Sequence, residues 1–226
     1  MRIFKKAMTL AVTATVLCGL ASCSAKPAAE TSAASSAAVS ESTEMTTEAA
    51  ETTETSATEK VSKYGKAVVV YFACTGTTKG VATKIASSLG CATYEIVPSK
   101  PYSEEDLNYS NKKSRAAKEQ NDKAARPEIS KQISGWNTYD TVFIGYPIWF
   151  GKAPRILCTF VESQEFEGKT VIPFCTSGSS GIGSSAMELE NLAKNKGTWL
   201  SGTRFAATVK STDIAEWLDT VESGLK

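Results

Sequence analysis

Six apolar residues in a row, Ala67-Val68-Val69-Val70-Tyr71-Phe72, constrain this chain more than any other feature. A strand with one wet face alternates polar and apolar side chains. An unbroken run needs cover on both faces, which a parallel sheet between layers of helix provides. The neighbouring residues fit such a sheet. The turn Ala73-Cys74-Thr75-Gly76-Thr77-Thr78 leads into residues 79–89, where Val81, Ile85 and Leu89 recur at helical spacing, and Gly90 stands as a C-terminal cap. The pattern then repeats. Further strands are predicted over 92–97, 141–146, 170–176 and 199–206, and helices over 154–163, 186–194 and 214–225. Another helical stretch is predicted over 111–123, inside the polar segment 99–131. Five strands with intervening helices imply an α/β fold, a doubly wound five-stranded parallel sheet with helices on both faces. Ligands of such sheets sit beyond the carboxyl ends of the strands, where strand order reverses. Loops 73–78, 146–151 and 176–183 are expected there.

The first 63 residues are of another kind. Arg2, Lys5 and Lys6 form a basic start, and residues 7–20 are an apolar run short for a membrane span. Leu20-Ala21-Ser22-Cys23 follows. This resembles a bacterial lipoprotein signal, in which residues 1–22 are removed and Cys23 becomes the lipidated first residue. The resemblance implies export and lipid anchoring to the outer face of the bacterial cytoplasmic membrane, in the cell envelope, since more than one acyl chain holds stably. Residues 24–63 are Ala, Ser, Thr and Glu with almost no large apolar side chain, so they cannot offset the entropy of ordering. With Cys23 they are expected to form a disordered linker, spanning on the order of 35 Å as a flexible coil.

Residues 64–226 make one domain with room for a sizeable core. It carries 19 Lys and Arg against 17 Asp and Glu, a balance that gives no electrostatic reason to expect nucleic acid. The chain has no histidine, which removes the commonest general base and metal ligand. Cys74, Cys91, Cys158 and Cys175 form no C-x-x-C pair and no metal site is expected. Each lies in or beside an apolar run, as buried free thiols do. Cys74 and Cys175 end two parallel strands at one edge of the sheet, and the sequence leaves open whether they bridge.

The three loops carry the chemistry. In the first, a helix N-terminus presents unpaired N–H groups and positive dipole, threonines add hydroxyls, and Gly76 permits close approach; together these favour a phosphate, though Ser and Thr are also ordinary helix caps. The loop is neither a Walker A nor G-x-G-x-x-G. The second, Gly145-Tyr146-Pro147-Ile148-Trp149-Phe150-Gly151-Lys152-Ala153-Pro154, puts two aromatics at a strand end, where they either stack on a flat ring or pack beneath the neighbouring helix. The third, Cys175-Thr176-Ser177-Gly178-Ser179-Ser180-Gly181-Ile182-Gly183-Ser184, offers backbone N–H groups to the polar edge of a heterocycle, or serves as a flexible connection.

Together these loops resemble those of flavodoxin, over residues 65–226. The resemblance implies non-covalent FMN. It assigns Thr75, Gly76, Thr77 and Thr78 to the phosphate and Trp149 to stacking on the isoalloxazine, which with backbone crowding would lower the flavin potential. Pro147, Ile148, Phe150 and Gly151 complete the second loop, whose backbone would meet flavin N5. Thr176, Ser177, Gly178, Ser179, Gly181 and Gly183 would face the edge of the ring. Ala73 replaces the first hydroxyl of the family's phosphate loop, and no tyrosine stands in the third loop. The resemblance further implies electron transfer at the outer face of a bacterial membrane, with a redox protein or a small-molecule donor or acceptor as partner. Alternatives are an FMN-dependent NAD(P)H or quinone oxidoreductase, and a non-redox flavin-binding lipoprotein. The segment 100–131 carries Lys112, Lys113, Arg115, Lys118, Lys123 and Arg126. With Arg115–Glu119 and Lys118–Asp122 at i,i+4 it reads as a solvated helix, or as a basic rim with Tyr102 or Tyr109 covering the open side of the flavin.

Overall fold

The apolar run forms β1 (Ala67–Tyr71), and its side chains divide between the two faces of a sheet. Val68 and Val70 enter one core with Phe72, while Val69 and Tyr71 enter the other. The computed structural model describes residues 63–225. The expected signal peptide, Cys23 and the linker up to residue 62 lie outside the described residues. After β1 come α1 (Thr77–Leu89), β2 (Ala92–Glu95), α2 (Arg115–Asn121), β3 (Thr141–Pro147), α3 (Arg155–Glu162), β4 (Thr170–Thr176), α4 (Ser185–Leu192), β5 (Thr198–Trp199), β6 (Thr203–Phe205) and α5 (Ser211–Gly224).

Every strand pairing is parallel, in the order β2-β1-β3-β4-β5 with β6 also on β4. On one face, Val81 and Ile85 of α1 and Ile214 and Leu218 of α5 cover Phe143, Ile172 and Phe174. On the other, Ile156, Leu157, Phe160 and Val161 of α3 and Leu189 of α4 cover Ile144, Val171 and Cys175. The doubly wound α/β sandwich expected from the alternating pattern is the observed one. Strand order reverses between β1 and β3, so their carboxyl ends open the crevice. Among the described residues no helix is long and apolar enough to cross a membrane.

Two elements depart from the expected pattern. The fifth strand, expected to run continuously over 199–206, is two pieces that share one edge of β4. Parallel strands turn successive residues to opposite neighbours. The Val171 carbonyl accepts from Leu200 N–H at 2.9 Å on the edge side, and the Thr176 carbonyl accepts from Ile148 N–H at 3.0 Å on the β3 side. Pro173 therefore faces the edge, where it has no N–H to donate, and the edge strand leaves the ladder opposite it. The helix expected over 111–123 is shorter, because Ser114 caps it by accepting from Ala117 N–H. It is not simply solvated, since Ala116, Ala117 and Gln120 are buried. Its Arg115–Glu119 pair forms at 2.6 Å, while Lys118 and Asp122 make no ion pair among the described residues.

All four domain cysteines are free. Cys175 is fully buried, which pushes its thiol up to about 12, whereas Cys74 is exposed. Gly145 is required by a close approach. A Cβ there would lie 2.2 Å from the ring of Phe174, its register partner on β4. Phe174 is fully buried against Phe205 and has nowhere to go. Gly145→Ala is expected to cost about 1–3 kcal/mol, as overpacking does. Urea unfolding should show a lower midpoint at unchanged slope.

Candidate functional site

At the carboxyl edge the three loops enclose a cavity of about 460 Å³. Thr75 and Thr77 come from the first loop, Pro147, Ile148 and Trp149 from the second, and Thr176, Ser177 and Gly178 from the third. Tyr109 closes one side and residues 206–208, after β6, close another. No charged side chain lines it. An anion there would be held by hydroxyls, N–H groups and the positive end of α1.

That helix end is suited to the task. Gly76 is its N-cap at φ +83, no side chain caps it, and no acid stands in its first turn. Its first N–H groups therefore keep their donors free for a ligand. Nothing lies within 4 Å of where a Gly76 Cβ would be, so a ligand can approach the backbone there. Lys79 in the same turn is tied to Glu95 at 3.1 Å. Thr78 has another task. It is buried, and its hydroxyl meets that of Thr176 at 2.8 Å, joining the start of α1 to the end of β4. Of the three threonines, Thr75 and Thr77 reach the cavity.

The second loop is a two-residue hairpin. Trp149 N–H donates to the Lys152 carbonyl at 2.9 Å and Lys152 N–H returns the bond at 3.0 Å, with Phe150 and Gly151 both at positive φ. Trp149 is only 4% exposed. Its ring meets Phe72 and Tyr102 edge-on, with centroids 5.5 and 5.2 Å away. The ring packs underneath the loop against these two side chains, and Trp149 presents only a small surface to the cavity it lines. Tyr102 is itself fixed, donating to Glu119 at 2.5 Å under the Arg115 guanidinium. Burial and that bond raise its phenol pKa. The accessible aromatics are Phe150, 43% exposed, and Tyr109, 50% exposed, stacked on each other at 4.7 Å. Tyr109 also donates to the Ile148 carbonyl at 3.3 Å. Phe150 and Gly151 lie at the hairpin tip and do not line the cavity.

In the third loop only the first part reaches the cavity; Ser179, Gly181 and Gly183 run outside it, exposed. Arg204 of β6 sets this loop, donating to the Ser177 carbonyl at 2.7 Å and the Gly178 carbonyl at 2.6 Å. Ser177 N–H donates to the Phe205 carbonyl at 3.4 Å, so at the cavity the N–H this loop keeps for a ligand is that of Gly178. Arg204 and residues 206–208 had no motif in the sequence to mark them. Their signal was position alone, just before and after the same sheet edge. Gln120 was equally unmarked. Its amide donates to the carbonyls of Trp149 at 2.8 Å and Ala153 at 3.1 Å, holding both sides of the hairpin. Among the described residues no cluster of His, Cys, Asp or Glu is arranged to hold a metal.

A family profile described as flavodoxin matches residues 66–221. A protein of Bacteroides eggerthii assigned as a flavoprotein is 43% identical, with a TM-score of 0.65 over 69% of this chain and 97% of that one. Its Bacteroides uniformis counterpart is 39% identical, with a TM-score of 0.65 over 69% of this chain and 98% of that one. A Lactobacillus acidophilus flavoprotein, crystallised in complex with FMN, shares the fold at 20% identity and a TM-score of 0.53, over 68% of this chain and 98% of that one. No match was found among curated proteins.

The two aromatics of the wall should separate in a stability measurement. Trp149→Ala empties a packed site and is expected to cost about 3–5 kcal/mol. Tyr109→Ala, half exposed, should cost under about 1 kcal/mol. Chemical denaturation of the two variants checks the difference.

Proposed function

The chain belongs to the flavodoxin family, and on that premise we propose that it binds FMN non-covalently in the three-loop cavity and transfers electrons at the outer face of a bacterial membrane. The observation that carries the reading is the convergence of an uncapped helix N-terminus, Thr75 and Thr77 with an accessible aromatic wall in one cavity at the β1/β3 crevice. The residues present fit the cofactor's parts. Thr75, Thr77 and the first-turn N–H groups of α1 would hold the phosphate, which needs no cation when several N–H and hydroxyl donors converge. Tyr109, half exposed in the cavity wall, would add a planar contact to that of Trp149. The backbone N–H of Gly178, whose carbonyl Arg204 holds, would meet the polar edge of the ring. When bound, FMN supplies the redox chemistry, while the protein supplies placement and electrostatics. Anchoring through Cys23 belongs to the same proposal and rests on the lipoprotein-like start of the sequence.

A second reading is an FMN-dependent oxidoreductase acting on NAD(P)H or a quinone. It is favoured by the third loop, which contributes only Thr176, Ser177 and Gly178 to the wall and no aromatic, leaving that side open to a small substrate. Anaerobic stopped-flow of the FMN-loaded protein with NADH and NADPH separates the two. Rapid bleaching of flavin absorbance supports the enzyme, and its absence supports the carrier.

Flavin fluorescence titration tests the cavity itself. Removing both hydroxyls in Thr75→Val/Thr77→Val should weaken FMN by roughly tenfold or more, since a bond to a charged group contributes about 1.5–3 kcal/mol, and should leave riboflavin nearly unaffected. Equal losses for the two ligands would remove the phosphate assignment. Tyr109→Ala should weaken both ligands alike.

A further inference from the structure

A second cavity, about 400 Å³, meets the same hairpin at Lys152 and shares no lining residue with the first. Lys123 and Arg126 of the segment before β3 line it, together with Lys152, Arg155 of α3, and Glu188 and Asn191 of α4. Its charges are unevenly matched. Arg126 is satisfied by both carboxylate oxygens of Glu162, at 2.6 and 2.7 Å. Lys123 and Lys152 have no side-chain partner among the described residues.

Arg155 is the unusual group. It is 6% exposed, yet no carboxylate pairs with it. Its guanidinium donates to the Gln120 carbonyl at 3.3 Å and lies 3.9 Å from Cys158 Sγ, and its Nε has no acceptor at all. Buried arginines are ordinarily paired, because a desolvated guanidinium without counter-charge is costly. Arg155 also opens α3, which has no side-chain cap and no acid in its first turn, so the positive end of the helix adds to the same field. Among the described residues Glu188 is the one acid lining the cavity with Lys123, Lys152 and Arg155, and its carboxylate accepts from the Ser184 hydroxyl at 3.4 Å. The excess suits a dianion better than a single carboxylate.

We infer that this cavity binds the phosphoryl end of a small organic phosphate. Arg155 gives the fixed guanidinium contact, and Lys123 and Lys152 close on the anion as mobile point charges. The cavity is wider than a bare phosphate needs, and Asn191 and Leu192 offer an amide and an apolar surface to the organic part. The site is separate from the flavin cavity and stands whether or not FMN binds there.

Pyrophosphate titrated calorimetrically into the full chain is the test, run on Thr75→Val/Thr77→Val protein so that the first loop does not contribute. One equivalent should bind saturably, competed by sulfate and not by chloride. Adding Lys123→Ala/Lys152→Ala should weaken it at least tenfold without moving the thermal unfolding midpoint, since neither lysine is buried. Arg155→Lys, which keeps the charge but loses the fork, should weaken it as well. Absence of saturable binding would overturn the assignment, and so would affinity that survives removal of both lysines.

Discussion

The parallel register of three strands underlies both cavities. Tyr71 stands opposite Gly145, and Gly145 opposite Phe174, so β1, β3 and β4 run out at one edge and release their loops together. That register is possible because β1, β3 and β4 bury both faces, and because Gly145 leaves room for the Phe174 ring that crosses it. The Thr78–Thr176 hydroxyl contact then ties the first loop to the last residue of β4 across the crevice. A buried hydroxyl pair of this kind satisfies two groups that would otherwise be stranded, so it fixes the loops relative to each other as well as stabilising them.

The segment between β2 and β3 supports the second loop. Phe150 holds a left-handed backbone without being glycine, a conformation that costs on the order of 1–2 kcal/mol. Several contacts over-determine it: the reciprocal Trp149–Lys152 bonds, the Gln120 amide on two carbonyls, and Tyr109 stacked on the Phe150 ring. Arg155 joins the same network by donating to the Gln120 carbonyl. The helix α2, read from sequence as a solvated stretch, is thus the brace between the two cavities.

What was legible in the sequence was what local pattern encodes. The apolar runs of β1, β3 and β4, the helical spacing of Val81, Ile85 and Leu89, and Gly76 and Gly90 at the ends of α1 are short-range features. Side-chain choices made across the fold were not legible. Thr78 shares the buried stripe of α1 with Val81, Ala82 and Ile85, so its spacing already turns it inward, but that its hydroxyl would meet Thr176 depends on the fold. Trp149 is hidden because Phe72 and Tyr102 lie on it, and Tyr102 comes from a polar stretch with no periodicity. The break opposite Pro173 had a visible signal, a proline in a central strand, but which neighbour it faces depends on the register.

The contrast between the cavities bears on the chemistry of each. One is lined by neutral donors, the other by cations short of counter-charge. Neutral lining gives no balancing charge to electrons that arrive in it, so reduction of a bound redox group is disfavoured there relative to water. A low potential would thus follow from the missing cations. The cationic cavity has the opposite character. Its field recruits an anion and holds it at Lys152, three residues along the chain from the Trp149 that lines the first cavity. A phosphate-bearing electron donor captured there by charge would lie beside the cavity proposed for FMN, which itself has no charged lining.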